Sequence, residues 1–168
     1  LVWDPVQFRT ADKRFDVRAT RGTLTLQFIR ESWPRSKTQG AALGDPALLL
    51  PLAYSQCRRL CEPVREVCVI PHSEDRDDPA LMNLSNAWSV RHVQTPWEEM
   101  LVWILGCRLV LSSSLHGIIF AEAFGVPARW VRRKGSQGSE SWFKYVDYYS
   151  AVRPDLALAY SSVQVSFL

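Results

Sequence analysis

The densest group of potentially reactive side chains is Ser112-Ser113-Ser114-Leu115-His116-Gly117, between an apolar run of strand length and a run of helical composition. In an open parallel sheet, ligands bind beyond the carboxyl ends of strands, where a helix N-terminus presents N–H groups and partial positive charge. We therefore expect a phosphate or carboxylate to bind here. His116 would add a ring N–H or a full positive charge, and Gly117 would allow close approach.

The alternative for this segment is structural. Ser114 can cap the following helix through its side chain, and His116 can be a histidine that only satisfies its neighbours. Position in the sequence does not separate these two interpretations.

A second candidate is Arg21, which with Gly22 precedes a plausible helix through Leu26. A guanidinium at a strand-to-helix turn can hold an anion with two parallel hydrogen bonds, and Thr23 or Thr25 can cap the helix. The competing interpretation is a solvated surface arginine.

Three further features favour structural roles. Asp45, between a glycine and a proline, predicts a turn or a helix cap. His72 ends an apolar run and is expected at the same rim as His116, where a lone histidine can be structural or functional. The acidic stretch at 73–79 lacks metal-ligand spacing and predicts a solvated loop; its members are Glu74, Asp75, Asp77 and Asp78.

Apolar runs that alternate with helical segments predict the elements that position these residues. The expected fold class is α/β, a Rossmann-like parallel sheet with helices on both faces. We expect Leu109, Val110 and Leu111 in a central strand because that run is continuously apolar. The predicted strands cover 65–71, 89–94, 107–111 and 127–131.

Helix signals follow the same order. Thr95, Pro96 and Glu98 form a capping-box pattern for a helix that runs to about residue 106. A second helix opens after Ser114 and stops at Gly125, which can adopt the left-handed terminal conformation. A third, short and aromatic, covers 141–149, and a Gly- and Ser-rich loop covers 132–139.

Composition narrows the function classes. A chain of 168 residues with a net charge of +3 predicts one domain without a nucleic-acid footprint, and no apolar run is long enough for a membrane span. No signal peptide pattern opens the chain. The cysteines lack Cys-x-x-Cys spacing, which predicts reduced thiols and no disulfide among Cys57, Cys61, Cys68 and Cys107.

Taken in order, several segments make the chain similar to the polysaccharide pyruvyl transferase family. They are 17–18 with 21–25 (RGTLT), 43–50 (LGDPALLL), 69–72 (VIPH), 113–127 (SSLHGIIFAEAFGVP) and 144–149 (KYVDYY). The resemblance implies the C-terminal half of a GT-B-like two-domain enzyme that transfers pyruvate from phosphoenolpyruvate to a saccharide as a ketal. It implies no further cofactor and no metal, with the cytoplasm of a bacterium or the Golgi lumen of a eukaryote as the compartment.

The resemblance also assigns residues. It implies His116 and Arg21 as catalytic residues that converge on one cleft, because an anion with two charged ends needs contacts from two sides. The implied donor-binding residues are Ser113, Ser114, Leu115, Gly117 and His72. The expected organisation is a lead-in from a missing first domain at 1–16, a donor-binding domain at 17–150 and an extension at 151–168.

Two other functions remain open at this point. One is a GT-B glycosyltransferase that uses a sugar nucleotide, although no acidic partner for a ribose follows the Leu-His-Gly helix. The other is a catalytically inactive domain that keeps the fold, since fold alone does not establish function.

Overall fold

The computed structural model describes residues 14–57, 62–76, 78–79, 88–131 and 142–157. The described residues fall into two compact units, 14–45 with 142–157, and the described part of 46–131. Predictions for Cys61, Asp77, the loop at 132–139, the first 13 residues of the lead-in and most of the C-terminal extension lie outside this part of the chain. The domain boundaries given above stay a prediction.

The elements follow the α/β alternation that the sequence predicts. In chain order they are β1 (Ala19–Thr20), α1 (Thr23–Ser32), β2 (Ala42–Leu43), α2 (Leu50–Ala53), β3 (Arg65–Ile70), β4 (Ser89–Val90), α3 (Trp97–Leu105), β5 (Cys107–Ser112), α4 (Leu115–Ala123), β6 (Ala128–Trp130) and α5 (Phe143–Val152). Short 3₁₀ helices lie at Pro46–Leu49 and Ser73–Asp75. No helix in the described ranges is long and apolar enough to cross a bilayer.

In the first unit, β1 and β2 form a two-stranded parallel sheet, and α1 packs against α5. The aromatic helix that the sequence predicts at 141–149 is present, although it extends to Val152. Its tyrosines supply the buried centre of this unit, since Tyr145, Tyr148 and Tyr149 are fully buried. Gly22 lies so close to α5 that an added Cβ would overlap the main-chain carbonyl of Asp147.

The second unit is built on a four-stranded parallel sheet of order β4-β3-β5-β6. β5 lies between β3 and β6, so the prediction of Leu109, Val110 and Leu111 in a central strand is confirmed. The strand predicted at 89–94 is shorter and pairs only over Ser89 and Val90. It ends because the chain turns there, with the Thr95 N–H donating to the His92 carbonyl at 3.0 Å.

Two helices of this unit cover the site-bearing strands. α4 ends as predicted, with Gly125 at a φ of 74°, in the left-handed region that glycine adopts without a steric penalty. The capping box predicted for α3 is wrong. Pro96 is the N-cap, in a non-helical conformation and without a side-chain cap, so the helix begins at Trp97.

The cysteine prediction is also wrong. Cys68 and Cys107, both fully buried, form a disulfide with a Cα–Cα distance of 6.0 Å, and Cys57 is free. Sequence spacing does not reveal the pair because 39 residues separate its members, and they meet only through the pairing of β3 with β5.

The packing of Gly22 against α5 generates a stability prediction. Gly22→Ala places a methyl group on main-chain atoms of Asp147, which cannot rotate away, so the free energy of unfolding should fall by about 3 kcal/mol or more. Gly40→Ala is the matched control, because a Cβ added at Gly40 would enter open space. The substitution is opposed only by the positive φ of 74°, which alanine rarely adopts. It should cost about 1–2 kcal/mol. Urea unfolding measures both, and equal losses would contradict the close contact.

Candidate functional site

Ser112 secures the turn between β5 and α4. The side chain is fully buried, and its Oγ lies 2.7 Å from the Ile70 carbonyl and 2.8 Å from the Ser114 carbonyl. The same oxygen accepts a hydrogen bond from the Ser114 N–H at 2.9 Å. A hydroxyl has one proton, which it gives to one of the two carbonyls at a time. The end of β5 is thereby held to β3, and the turn is set for the helix.

Ser113 joins this turn to the loop that follows β3. Its hydroxyl donates to Asp75 Oδ2 at 2.6 Å and accepts from the His72 N–H at 2.9 Å. The Ser113 N–H donates to the Ile70 carbonyl at 3.2 Å. Strand ends β3 and β5 therefore remain connected beyond the last ladder pair, Ile70 with Ser112.

α4 opens at this edge with its positive end. Ser114 is the N-cap in an extended conformation, and its side chain makes no cap hydrogen bond, so the side-chain cap considered for it is absent. The first intrahelical bond runs from the Ile118 N–H to the Ser114 carbonyl at 3.4 Å. The N–H groups of Leu115, His116 and Gly117 precede that bond, and such groups carry the partial positive charge of a helix N-terminus.

Close packing holds the helix against the sheet. A Cβ on Gly117 would lie 2.6 Å from Ser112 Oγ and 3.1 Å from Ile70 Cγ2. The glycine predicted to permit close approach therefore does so toward β3. Any larger residue would push the first turn of α4 away from the strand end.

The chain's three histidines all lie at the carboxyl edge of this sheet. His116 is exposed in the first turn of α4, and its ring packs against Phe120 in a T-shaped arrangement at a centroid distance of 6.4 Å. His72 Nδ1 accepts from the Glu74 N–H at 3.3 Å, so the proton of the neutral ring is assigned to Nε2.

His92 is the histidine that the sequence analysis missed. It follows β4, and its Nδ1 is buried without a hydrogen-bond partner among the described residues. The signal was hidden because the strand was predicted to continue through residue 94, which placed His92 within a strand instead of at its end.

The prediction of a solvated acidic loop at 73–79 is wrong for two of its members. Asp78 is buried, and Asp75 accepts the Ser113 hydroxyl. Polar burial of this kind needs partners that only the fold brings close.

Within the part of the chain that the structure describes, no group of His, Cys, Asp and Glu side chains is arranged to hold a metal ion.

In the first unit, Arg21 follows β1 and faces Asp45, which follows β2. Arg21 Nε lies 3.5 Å from Asp45 Oδ2, with the arginine side chain 36% exposed and the aspartate 10% exposed. The Nε atom is buried and makes no hydrogen bond to any of the described residues. Asp45, predicted as a turn or cap residue, therefore places its carboxylate beside the guanidinium that the sequence analysis assigned to an anion.

The N-terminus of α1 is filled by side chains from α5. Asp147 accepts the Thr25 N–H at 2.8 Å and the Thr25 hydroxyl at 2.6 Å, and Ser150 Oγ accepts the Thr23 N–H at 2.9 Å. The prediction that Thr23 or Thr25 caps this helix is wrong. Gly22 is the N-cap, and the capping groups come from 122 and 127 residues away. The N–H groups of Thr23 and Thr25 are therefore already bonded within the protein and are not available to an anion at Arg21.

Arg21 belongs to the first unit and His116 to the second. Their convergence on one cleft stays a prediction. Within the second unit, the structure gathers His72, Ser113 and the first turn of α4 at one sheet edge.

The parallel sheet, with a helix N-terminus and histidines at its carboxyl edge, defines a Rossmann-like α/β domain, a class in which this edge commonly binds anionic ligands. The family model for polysaccharide pyruvyl transferase matches residues 3–135, and the chain belongs to this family.

One relative is an uncharacterised protein of Acanthamoeba polyphaga mimivirus, 31% identical over 135 residues. The match covers 77% of this chain and 46% of that protein, so the chain spans about half the length of the relative. No solved structure shows significant similarity to the chain.

The capping of α1 by α5 generates the second prediction. Asp147→Ala removes two hydrogen bonds to a 2% exposed carboxylate and leaves the Thr25 N–H and hydroxyl without their partner. The free energy of unfolding should fall by about 2–4 kcal/mol. Asp16→Ala, which removes an exposed carboxylate of the same unit, should change it by less than about 0.5 kcal/mol. Chemical denaturation gives both values, and a loss for Asp147→Ala as small as that of the control would refute the capping role.

Proposed function

We propose that this chain supplies the donor-binding part of a polysaccharide pyruvyl transferase, and that the donor is phosphoenolpyruvate. Family membership supports transfer of a pyruvyl group to a saccharide. The further identification of the donor site rests on the turn from β5 to α4. The observation that carries the proposal is the exposed His116 ring in the first turn of a helix that begins at the carboxyl edge of a parallel sheet.

Phosphoenolpyruvate has a phosphate and a carboxylate on one small carbon framework. One of these groups suits the N–H groups of Leu115, His116 and Gly117, which lie at the positively charged end of the helix. Ser113 and Ser114 contribute indirectly, because their N–H groups bond to the Ile70 carbonyl and to Ser112 Oγ and so form the turn that places the helix N-terminus. The His72 ring, with its Nδ1 held by Glu74, would present an Nε2 proton at the same edge.

The reaction needs a proton donor near the enol carbon. Protonation of the methylene carbon of phosphoenolpyruvate converts it to a methyl group and leaves a cationic centre at the neighbouring carbon. One sugar hydroxyl adds to that centre, and a second then displaces phosphate, which completes the ketal. Of the two hydroxyl protons, one replaces the proton delivered to carbon and the other leaves with phosphate. A histidine can deliver the first proton or hold the departing phosphate.

Arg21 is proposed as the second cation of the site. A guanidinium can hold a carboxylate or phosphate with two parallel hydrogen bonds. Asp45 beside it would orient the group before an anion arrives. The acceptor is a saccharide, in keeping with the family, and the proposed reaction uses no additional cofactor.

Calorimetric titration of the full-length protein with phosphoenolpyruvate and with sugar nucleotides tests the proposal. Saturable binding of phosphoenolpyruvate without binding of sugar nucleotides is expected. Binding of sugar nucleotides alone would identify a glycosyltransferase instead, and binding of neither would indicate an inactive domain.

Substitution of His116 tests the chemical step. His116→Ala should lower pyruvyl transfer to a galactoside by about 100- to 10,000-fold, because general acid–base help of that size is lost. The exposed ring carries little packing, so thermal melting should stay within a few degrees. His116→Gln keeps an N–H donor but cannot supply the proton. Equal losses in both variants identify an acid, whereas substantial activity in His116→Gln identifies a phosphate clamp. Near-normal turnover in His116→Ala would reject either role.

Substitution of Arg21 tests the second cation. Arg21→Lys keeps one positive charge but removes the planar fork, so the KM for phosphoenolpyruvate should rise by about tenfold or more. Arg18→Lys is the matched control, since Arg18 is an exposed arginine of the same unit, paired with Asp16. Steady-state kinetics at varied donor concentration measure the effect. An unchanged KM in Arg21→Lys would remove Arg21 from the site.

A further inference from the structure

We propose that Asp75 is a positioning residue for the anion site at α4. Asp75 orients the hydroxyl of Ser113 by accepting its proton. The oriented hydroxyl then accepts the His72 N–H, which ties the main chain at His72 to the turn before α4. The identity of the anion rests on the proposed function, whereas the clamp itself rests on contacts within the second unit.

The first step of the argument is the direction of the Ser113 proton. A serine hydroxyl has one proton, and an ionised carboxylate can only accept hydrogen bonds because it has no proton to donate. The 2.6 Å distance to Asp75 Oδ2 fits a hydrogen bond to a charged acceptor. The Ser113 proton therefore points at Asp75, and a lone pair faces the His72 N–H at 2.9 Å.

The second step concerns what this does to the strand ends. Ile70 pairs with Ser112, and the Ser113 N–H donates to the Ile70 carbonyl. The His72 N–H donates in turn to the Ser113 hydroxyl. Through these main-chain and side-chain hydrogen bonds, β3 and β5 stay connected beyond the last pair of the ladder. Without Asp75, the hydroxyl is free to rotate, and the bond to His72 loses its fixed geometry.

The third step follows from the chemistry of the ligand. An anion needs hydrogen-bond donors, and the Ser113 hydroxyl gives its proton to Asp75. Ser113 therefore serves the site as a link and not through its hydroxyl proton. The groups that it aligns are His72 on one side and the N–H groups of Leu115, His116 and Gly117 on the other.

A double-mutant cycle in the full-length protein tests the clamp. Asp75→Ala and Ser113→Ala should each weaken phosphoenolpyruvate binding by about tenfold, measured by calorimetry. The combined variant should also lose about tenfold, whereas independent residues would lose about 100-fold. Asp75→Asn, whose amide oxygen still accepts the hydroxyl proton, and Ser113→Thr, which keeps a hydroxyl, should restore most of the affinity.

Amide hydrogen exchange supplies a readout that needs no ligand. The His72 amide should exchange about tenfold faster or more in Asp75→Ala and in Ser113→Ala, since both loosen its acceptor. Glu98→Ala, which removes an exposed carboxylate of the same unit, is the control and should leave both binding and His72 exchange unchanged.

The two arms separate the possible failures. If the wild-type protein does not bind phosphoenolpyruvate but His72 protection depends on Asp75, the proposed function fails and the clamp stands, with inorganic phosphate as the probe of the anion site. Unchanged His72 protection in both alanine variants overturns the clamp, whatever binds. Additive losses of affinity in the double variant overturn it as well. If an alanine variant does not fold, Asp75→Asn and Ser113→Thr carry the comparison, and a loss of His72 protection in both would contradict the hydrogen-bond role.

Discussion

The pairing of β3 with β5 is the constraint on which the described site depends. It runs from Arg65 with Cys107 to Ile70 with Ser112, in the centre of a parallel sheet. A slip of one residue would turn the side chains of either strand to the opposite face. The Ser112 hydroxyl could then no longer reach the Ile70 carbonyl, and Gly117 would lose its fit against the same residue. The geometry of the site therefore depends directly on the register of β3 with β5.

The two units differ in how the N-terminus of the helix after a parallel strand is satisfied. In each, a parallel strand leads into a helix whose first N–H groups need partners. The N-terminus of α1 receives Asp147 and Ser150 from α5, so its positive end is occupied by the protein's own acceptors. At α4 the serines secure the preceding turn instead, and the Ser114 side chain does not cap the helix. The second arrangement is the one that suits an external anion.

The two candidate site residues also differ in their charged neighbours. Arg21 has Asp45 beside it, and an ion pair with a partly exposed arginine contributes little to stability. Its value to a binding site lies in orientation, because a guanidinium held by one carboxylate loses less freedom when it meets a second. His116 is exposed and is free of such an ion pair among the described contacts, which agrees with the acid–base or phosphate-binding role proposed for it.

The sequence by itself determined the fold class, the central strand at Leu109 to Leu111 and the place of His116 at a helix start, because apolar periodicity and a Gly-Val-Pro stop are local signals. Tertiary structure alone decided the roles of Asp75 and Asp147 and the burial of the His92 Nδ1 atom. The sequence around Asp75 predicts a solvated carboxylate. Only the pairing of β3 with β5 brings the Ser113 hydroxyl within 2.6 Å of it. Asp147 lies 122 residues from the helix that it caps, and no local pattern connects them. Contacts over such separations form only when the chain has folded, since they depend on register and packing rather than on the neighbours of each residue.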